Sequence, residues 1–359
     1  MNKASTICLF NSNTIWGGGE KWILETSLKL SGSKYNVIVC TNNTSELNEN
    51  LKKSSLLLIP VRIFNLSLID PFKILYLYQV FKKYEVDTLV LGLSQDLKAA
   101  GLAAKLAGVR QIIYRRGLAT PLKNSFLHRF YFKYIVTKVI ANSEEVKRNL
   151  LIRNNSLINA SDIYVIYNGI NLNDISGKDD INLKNPLIVI GYVGRLVEGK
   201  GLNYLIELAV YLKDYQYDFA IKIVGIGKMR NQLEDYAKEL KVEDSIIFVE
   251  FLHDTCHFYK EIDIFVFPSE SEGCSNALLE AMAHAKPIVA FNISSMPEMV
   301  VDGISGFLVP GKDVQRMAEK VILLIKSVEL RNDMGKEARL KIADKFDFDK
   351  NHRLLEELF

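Results

Sequence analysis

Short runs of Val, Ile, Leu and Phe punctuate the chain, and most are followed by a longer stretch whose apolar residues return every three or four positions. The first pattern is that of a buried strand, the second that of a helix packed on one side. In the first half the runs predict strands at residues 6–10, 35–40, 56–61, 88–91, 111–114, 138–141 and 163–166. In the second half they predict strands at residues 187–192, 220–224, 246–249, 264–267, 287–290 and 307–309. A βα rhythm repeated in this way predicts an α/β protein of two doubly wound parallel sheets. No internal repeat aligns between the halves, so they are structural analogues rather than tandem copies. Residues 171–186 are polar, rich in Asn and Asp and without sustained periodicity, and read as a linker between domains at 1–173 and 174–345. From Val314 to Phe359 the pattern is almost wholly helical, with one interruption near Phe346 to Asp349.

A length of 359 residues suits two cores better than one, and a composition of 48% hydrophobic and 24% charged residues is that of a soluble globular protein. No apolar run approaches the roughly 18 residues that span a bilayer. The run Ile7 to Phe10 is too short for a signal-peptide core, so a cytoplasmic protein is expected. Cys8, Cys40, Cys256 and Cys274 show no CxxC spacing, which predicts buried thiols with neither disulfide nor zinc. The net charge of +3 conceals an asymmetry: residues 1–173 hold 22 Lys and Arg against 11 Asp and Glu, and residues 174–359 hold 23 against 31. A basic first half suggests contact with an anionic surface, either nucleic acid or anionic lipid.

The most informative chemistry lies in residues 269–283, where Glu272 and Glu280 stand eight positions apart across the expected start of a helix. Gly273, Ser275 and Asn276 are helix-start residues and Ala277 to Ala283 are good helix formers, so free N–H groups should face an anion. The spacing alone fits equally a macrodipole-favouring charge plus a solvated glutamate. The strand expected at Ile262 to Pro268 puts this segment at the carboxyl end of a parallel strand, where open α/β sheets bind ligands. Gly194, Arg195, Lys200 and Gly201 follow the first strand of the second half, and the two cations can converge on a diphosphate or form an ordinary charged turn. Gly225 and Gly227 close the next strand and leave room for a nucleobase, although a lone GxG turn is a weak signal. Gly17, Gly18 and Gly19 precede a helix over Lys21 to Leu30; they supply close backbone approach and φ > 0 geometry, or only a flexible turn. Trp22 stands where a dinucleotide fingerprint needs glycine, and the Lys200 loop lacks the spacing of a P-loop.

Taken together and in this order, these segments resemble the family 4 glycosyltransferases across nearly the whole chain. The resemblance rests on Gly17 to Glu20, Asn168-Gly169, Gly194-Arg195 with Lys200-Gly201, Val224 to Gly227, Pro268 to Ala283, Pro297-Glu298 and Asp302 to Pro310. It implies the GT-B fold, two facing Rossmann-like domains with a C-terminal helix near 346–359 packed back on the first. It further implies that Arg195 and Lys200 bind a donor diphosphate and that Glu280 holds ribose hydroxyls. Glu272 with the backbone of Gly273, Cys274, Ser275 and Asn276 would face the donor sugar, and Gly17, Gly18 and Gly19 would close over the phosphate. Some positions depart from the family. Arg116 stands where many members have histidine, Ala285 and Ser294-Ser295 stand where glycines are usual, and a glycine is missing near His253.

The implied activity is retaining transfer of a sugar from a UDP- or GDP-type nucleoside diphosphate donor, with no cofactor and no obligatory metal. The acceptor is expected to be a cell-envelope glycan or glycolipid, as in lipopolysaccharide, capsule or exopolysaccharide assembly. Arg115 and Arg116 follow a strand in the expected acceptor domain and would bind an anion on that acceptor, unless one of them pairs with a carboxylate. Residues 121–134 mix basic and aromatic positions, which fits a helix lying on anionic lipid at the inner face of the membrane or a core-facing helix with a basic outer side. A nucleotide-sugar epimerase would need acid and base groups that no motif supplies. A nucleic-acid-binding protein would use the basic half, yet no recognition motif is present and no nucleic-acid partner is expected.

Overall fold

A computed structural model of the chain describes residues 4–122, 125–152, 157–175 and 187–359. It divides into two compact units, Met1–Tyr167 with His352–Phe359, and Asn168–Asn351. The division falls ahead of residue 173 for a local reason: Asn168 donates to the Cys274 carbonyl at 2.8 Å, and Ile170 exchanges backbone bonds with Phe346 and Phe348. Most of the expected linker, residues 176–186, lies outside the described residues, as do Lys123 and Asn124 of the expected basic helix.

The first unit is built on seven parallel strands: β1 (Thr6–Asn11), β2 (Asn36–Thr41), β3 (Leu57–Pro60), β4 (Val86–Leu91), β5 (Gln111–Arg116), β6 (Lys138–Ala141) and β7 (Ile163–Val165). Their order is β3-β2-β1-β4-β5-β6-β7. Because side chains alternate across a strand, β1 feeds two cores at once. Ile7 and Leu9 pack with Trp22, Ile23, Leu30, Leu355 and Leu358 on one face, so the last turns of the chain belong to this unit. Cys8 and Phe10 pack with Leu77, Phe81, Ala103 and Tyr131 on the other. Helices on both faces bury the inner strands, which is why these read as mostly apolar runs, while the edge strands β3 and β7 stay partly exposed at Leu57 and Tyr164.

The second unit has six strands, β8 (Ile188–Val193), β9 (Phe219–Val224), β10 (Ile246–Val249), β11 (Ile264–Phe267), β12 (Ile288–Phe291) and β13 (Gly306–Val309), in the order β10-β9-β8-β11-β12-β13. All thirteen sequence-predicted strands are present within a few residues of their expected ends. The terminal region has two breaks instead of one, separating helices Val314–Lys326, Val328–Lys345 and Phe348–Glu356. Ser327 makes the extra break by capping the second helix, its hydroxyl accepting from Leu330 N at 3.1 Å. In each sheet the strand order reverses beside the first strand, between β1 and β4 and between β8 and β11. Those reversals open crevices at the strand carboxyl ends.

Candidate functional site

At the second unit's reversal, the loops after β8, β9 and β11 pack so closely that side chains are excluded. A Cβ on Gly201, whose φ is +68°, would lie 1.9 Å from the Pro268 carbonyl oxygen, and one on Gly225 would lie 1.9 Å from that of Gly194. Gly227 meets Leu196 in the same way, at 2.2 Å from its carbonyl oxygen. These contacts fix Lys200 against β11. Its ammonium bonds to Glu272 Oε1, which also accepts from Ser269 Oγ at 2.7 Å, and the two charged side chains are only 21% and 13% exposed. Arg195, on the same loop, is exposed. Beneath it Tyr192 is fully buried beside Phe267, its hydroxyl has no hydrogen-bond partner among the described residues, and burial raises its pKa.

Helix Asn276–Ala283 begins directly beyond. Ser275 is its extended N-cap, but the side chain makes no capping bond and the first turn holds no acidic residue, so its leading N–H groups retain their affinity for an anion. Cys274 is buried, and its carbonyl is the group it offers to Asn168. The Asn168 amide also reaches Asn276 Oδ1 at 2.6 Å, which ties the helix start to the segment after β7. One turn in, the Glu280 carboxylate accepts from Thr255 Oγ1 at 3.1 Å and Tyr259 OH at 3.2 Å. Burial, reinforced by Glu280, raises the Tyr259 pKa well above its ordinary value, so the phenol stays protonated as a donor.

The other expected site residues belong to the first unit. Gly17 is extended at φ −171°, and none of Gly17, Gly18 and Gly19 has positive φ, so the left-handed geometry expected of this loop is not what it uses. A Cβ on Gly17 would lie 3.3 Å from Glu20 Oε2, whereas one on Gly19 would meet nothing within 4 Å, so packing within the unit does not itself demand glycine at 19. Arg115 is buried, with its guanidinium 4.2 Å from the Trp22 ring centre, a stacked position that engages the face of the group rather than its in-plane N–H donors. Arg116 donates to the Thr120 carbonyl at 2.9 Å and its hydroxyl at 3.1 Å. At this unit's own reversal, Asp96 is fully buried and accepts from Ser12 N at 3.1 Å and Ser12 Oγ at 2.5 Å. Burial raises its pKa to about 7, against the lowering effect of the Ser12 bonds.

The two halves each match a family of known enzymes: residues 175–341 match Glycosyl transferases group 1, and residues 16–174 match Glycosyltransferase Family 4. The chain belongs to the family 4 glycosyltransferases. Among its relatives, the capsular polysaccharide biosynthesis glycosyltransferase CapM of Staphylococcus aureus is 30% identical over 59% of the chain. The Escherichia coli UDP-Gal:alpha-D-GlcNAc-diphosphoundecaprenol alpha-1,3-galactosyltransferase is 26% identical over 84% of the chain and 82% of its own length. The matches to CapM and to an uncharacterized glycosyltransferase of Methanocaldococcus jannaschii span only 58% and 62% of those proteins' lengths. Among solved structures, Anabaena Alr3699/HepE in complex with UDP and glucose superposes with a TM-score of 0.83, at 20% identity, over 98% of each chain. That likeness establishes the GT-B fold.

Several residues that hold this site together escaped the sequence patterns. Ser294 Oγ donates to the Glu272 carbonyl at 2.6 Å and accepts from Glu272 N at 3.2 Å, while Ser295 donates to the carbonyls of Glu272 and Gly273. The serine pair had registered only as a departure from glycine. Thr255 and Tyr259 carried no signal, because their role depends on a partner more than 20 residues away.

Proposed function

We propose that this glycosyltransferase takes a sugar from a UDP-sugar donor, retains its anomeric configuration, and delivers it to a glycan or lipid-linked acceptor in surface-polysaccharide assembly. The observation that carries the reading is the convergence of Lys200, Glu272 and the open start of helix Asn276–Ala283 at the reversal of the second sheet. An arriving diphosphate would take over Lys200 from Glu272 and meet Arg195 and the helix N–H groups. Their positive field would grow in value as the leaving phosphate gains charge, without requiring a metal. Glu280, oriented by Thr255 and Tyr259, is suited to accept from two ribose hydroxyls. No side chain at the site serves as a covalent nucleophile in this scheme, so the acceptor hydroxyl attacks from the leaving-group side and its proton passes to the departing phosphate oxygen. The UDP assignment is supported by the galactosyltransferase relative, named for a UDP-Gal donor, and by the HepE complex with UDP. Surface-polysaccharide assembly is supported by CapM.

The test is a thermal-shift series with UDP, GDP, ADP and TDP in EDTA, followed by NMR of the product anomer. UDP at about 100 times its dissociation constant should stabilise the protein by about 2.7 kcal/mol. No shift with any nucleotide refutes the donor site, a shift that requires magnesium refutes metal independence, and an inverted product refutes retention.

A further inference from the structure

We propose that the first unit carries a docking face for an anionic phospholipid bilayer, centred on residues 64–76 and extended by Leu106 and helix Phe126–Tyr134. This inference does not depend on the sugar-transfer reading. Phe64, Leu66, Ile69, Phe72 and Phe126 are 65%, 74%, 74%, 82% and 86% exposed, and Leu75, Leu106 and Tyr134 are also more than half exposed. Single exposed apolar residues are ordinary, but these fall on neighbouring elements of one layer. The turn Asn65–Ile69, helix Pro71–Lys83, the helical stretch 97–107 and helix Phe126–Tyr134 all pack their inner sides into the same core over the seven-stranded sheet. Tyr131 OH ties the last of them to the Lys98 carbonyl at 2.5 Å. Between the first helix and Leu106 runs an open groove of about 500 Å³ lined by Leu68, Ile69, Ile74, Leu75 and Tyr78, wide enough for part of an acyl chain.

Charge decides the occupant. Residues 62–87, 97–107 and 126–134 contain eight Lys and Arg (Arg62, Lys73, Lys82, Lys83, Lys98, Lys105, Arg129 and Lys133) and three acids, Asp70, Glu85 and Asp87, the last of which accepts from Ser5 and Thr6 N. The Asp70 carboxylate is committed to capping the helix, accepting from Phe72 N and Lys73 N at 3.1 Å each. A second copy presenting the same face would set these cations against themselves, whereas anionic headgroups complement them. The cations also lie beside the aromatic rings, with Lys73 Nζ 5.4 Å from the Phe64 ring centre and Lys133 Nζ 5.2 Å from that of Tyr134. Apolar tips with cations at their base are what an interfacial surface presents to lipid. The sequence had pointed to residues 121–134 for this purpose; the more exposed apolar side chains are on residues 64–76.

The experiment is flotation of the full chain with phosphatidylcholine vesicles, with and without about 30% phosphatidylglycerol. Binding should be at least about ten-fold stronger to the anionic vesicles and should weaken between about 0.05 and 0.5 M salt. The exposed-site variant Phe64→Ser/Ile69→Ser/Phe72→Ser should keep the wild-type Tm and lose at least about ten-fold in vesicle affinity. A Phe72→Trp variant gives a second readout, a blue shift in emission, relative to wild type, on adding anionic vesicles. Equal binding to neutral vesicles, undiminished binding by the triple variant or no emission shift would overturn the proposal. So would a concentration-dependent dimer that the triple variant abolishes, since the occupant would then be another copy of the chain.

Discussion

Lys200→Ala separates the two roles that the Lys200–Glu272 pair can play. In the folded chain the ammonium neutralises a carboxylate that is only 13% exposed and whose other side-chain bond is to Ser269. Removing one member of a fully buried pair costs about 3–5 kcal/mol, and of an exposed pair about 0–1 kcal/mol. With partial exposure on both sides, a loss of about 1–3 kcal/mol is expected. For a unit of this size that corresponds to a fall in Tm of roughly 2–10 °C. Donor binding should fall as well, because one charge-assisted contact is worth about 1.5–3 kcal/mol, or roughly 10- to 150-fold in the UDP dissociation constant. The double variant Lys200→Ala/Glu272→Gln discriminates: glutamine still accepts from Ser269 but strands no charge, so most of the lost Tm should return while UDP affinity stays low. Calorimetry with UDP and a melting curve on each of the three proteins complete the cycle. If Lys200→Ala binds UDP within about three-fold of wild type, or if the double variant recovers UDP affinity, the lysine only balances Glu272 and the diphosphate assignment is refuted.

Three further outcomes follow from individual geometries. Ala285→Gly should raise stability by about 0.5–1 kcal/mol in urea titration, because Ala285 adopts φ +54°; no gain would mean the left-handed strain there is negligible. Tyr192→Phe removes a buried hydroxyl that has no partner among the described residues, so Tm should rise with about 1–3 kcal/mol of stabilisation, and a fall in Tm would contradict that assignment. Asp96 holds a proton up to pH about 7 in the folded chain against 3.8 ordinarily, so its contribution to stability is complete below about pH 4 and is lost as pH rises to about 7. Asp96→Asn should therefore flatten the stability profile in that window by up to about 1.4 kcal/mol per pH unit, and an unchanged slope in urea melts from pH 5 to pH 8 would sink the argument.

The inner strands were legible because burial on both faces removes most need for polar alternation, so they appear as largely apolar runs, as in β1 and β11. The glycine loops were legible for a related reason: backbone contacts such as that of Gly201 with Pro268 admit no side chain, and the residue type records the contact. Where the determining partner is remote, local pattern carried nothing. The unit boundary fell at Tyr167 because Asn168 bonds to residues 106 and 108 positions away, and no propensity reports such a bond. The stacking of Arg115 on Trp22 is remote in the same sense, since Trp22 belongs to a helix 93 positions earlier in the chain and no local pattern reports the contact.

The departures from the family's glycines bear on how firmly this fold dictates backbone shape. Ala285 sits at the end of helix Asn276–Ala283, where Lys286 N bonds to the Ala281 carbonyl at 3.0 Å and Ala285 N to that of Met282 at 3.0 Å. That is a Schellman closure, which requires a left-handed residue at 285 whatever its side chain. Ser294 likewise takes φ +54°, a conformation that costs a non-glycine residue about 1–2 kcal/mol. At Ser294 the hydroxyl offsets this by binding both Glu272 N and the Glu272 carbonyl. At Ala285 no side-chain bond is available to do so. The two substitutions thus keep one backbone path by different balances, and only the serine adds a contact to the loop that holds Glu272. A glycine at 294 would relax the backbone yet remove two of the bonds that hold the Glu272 backbone, leaving those from Ser295, so at this position strain and site geometry are coupled, whereas at 285 they are separable.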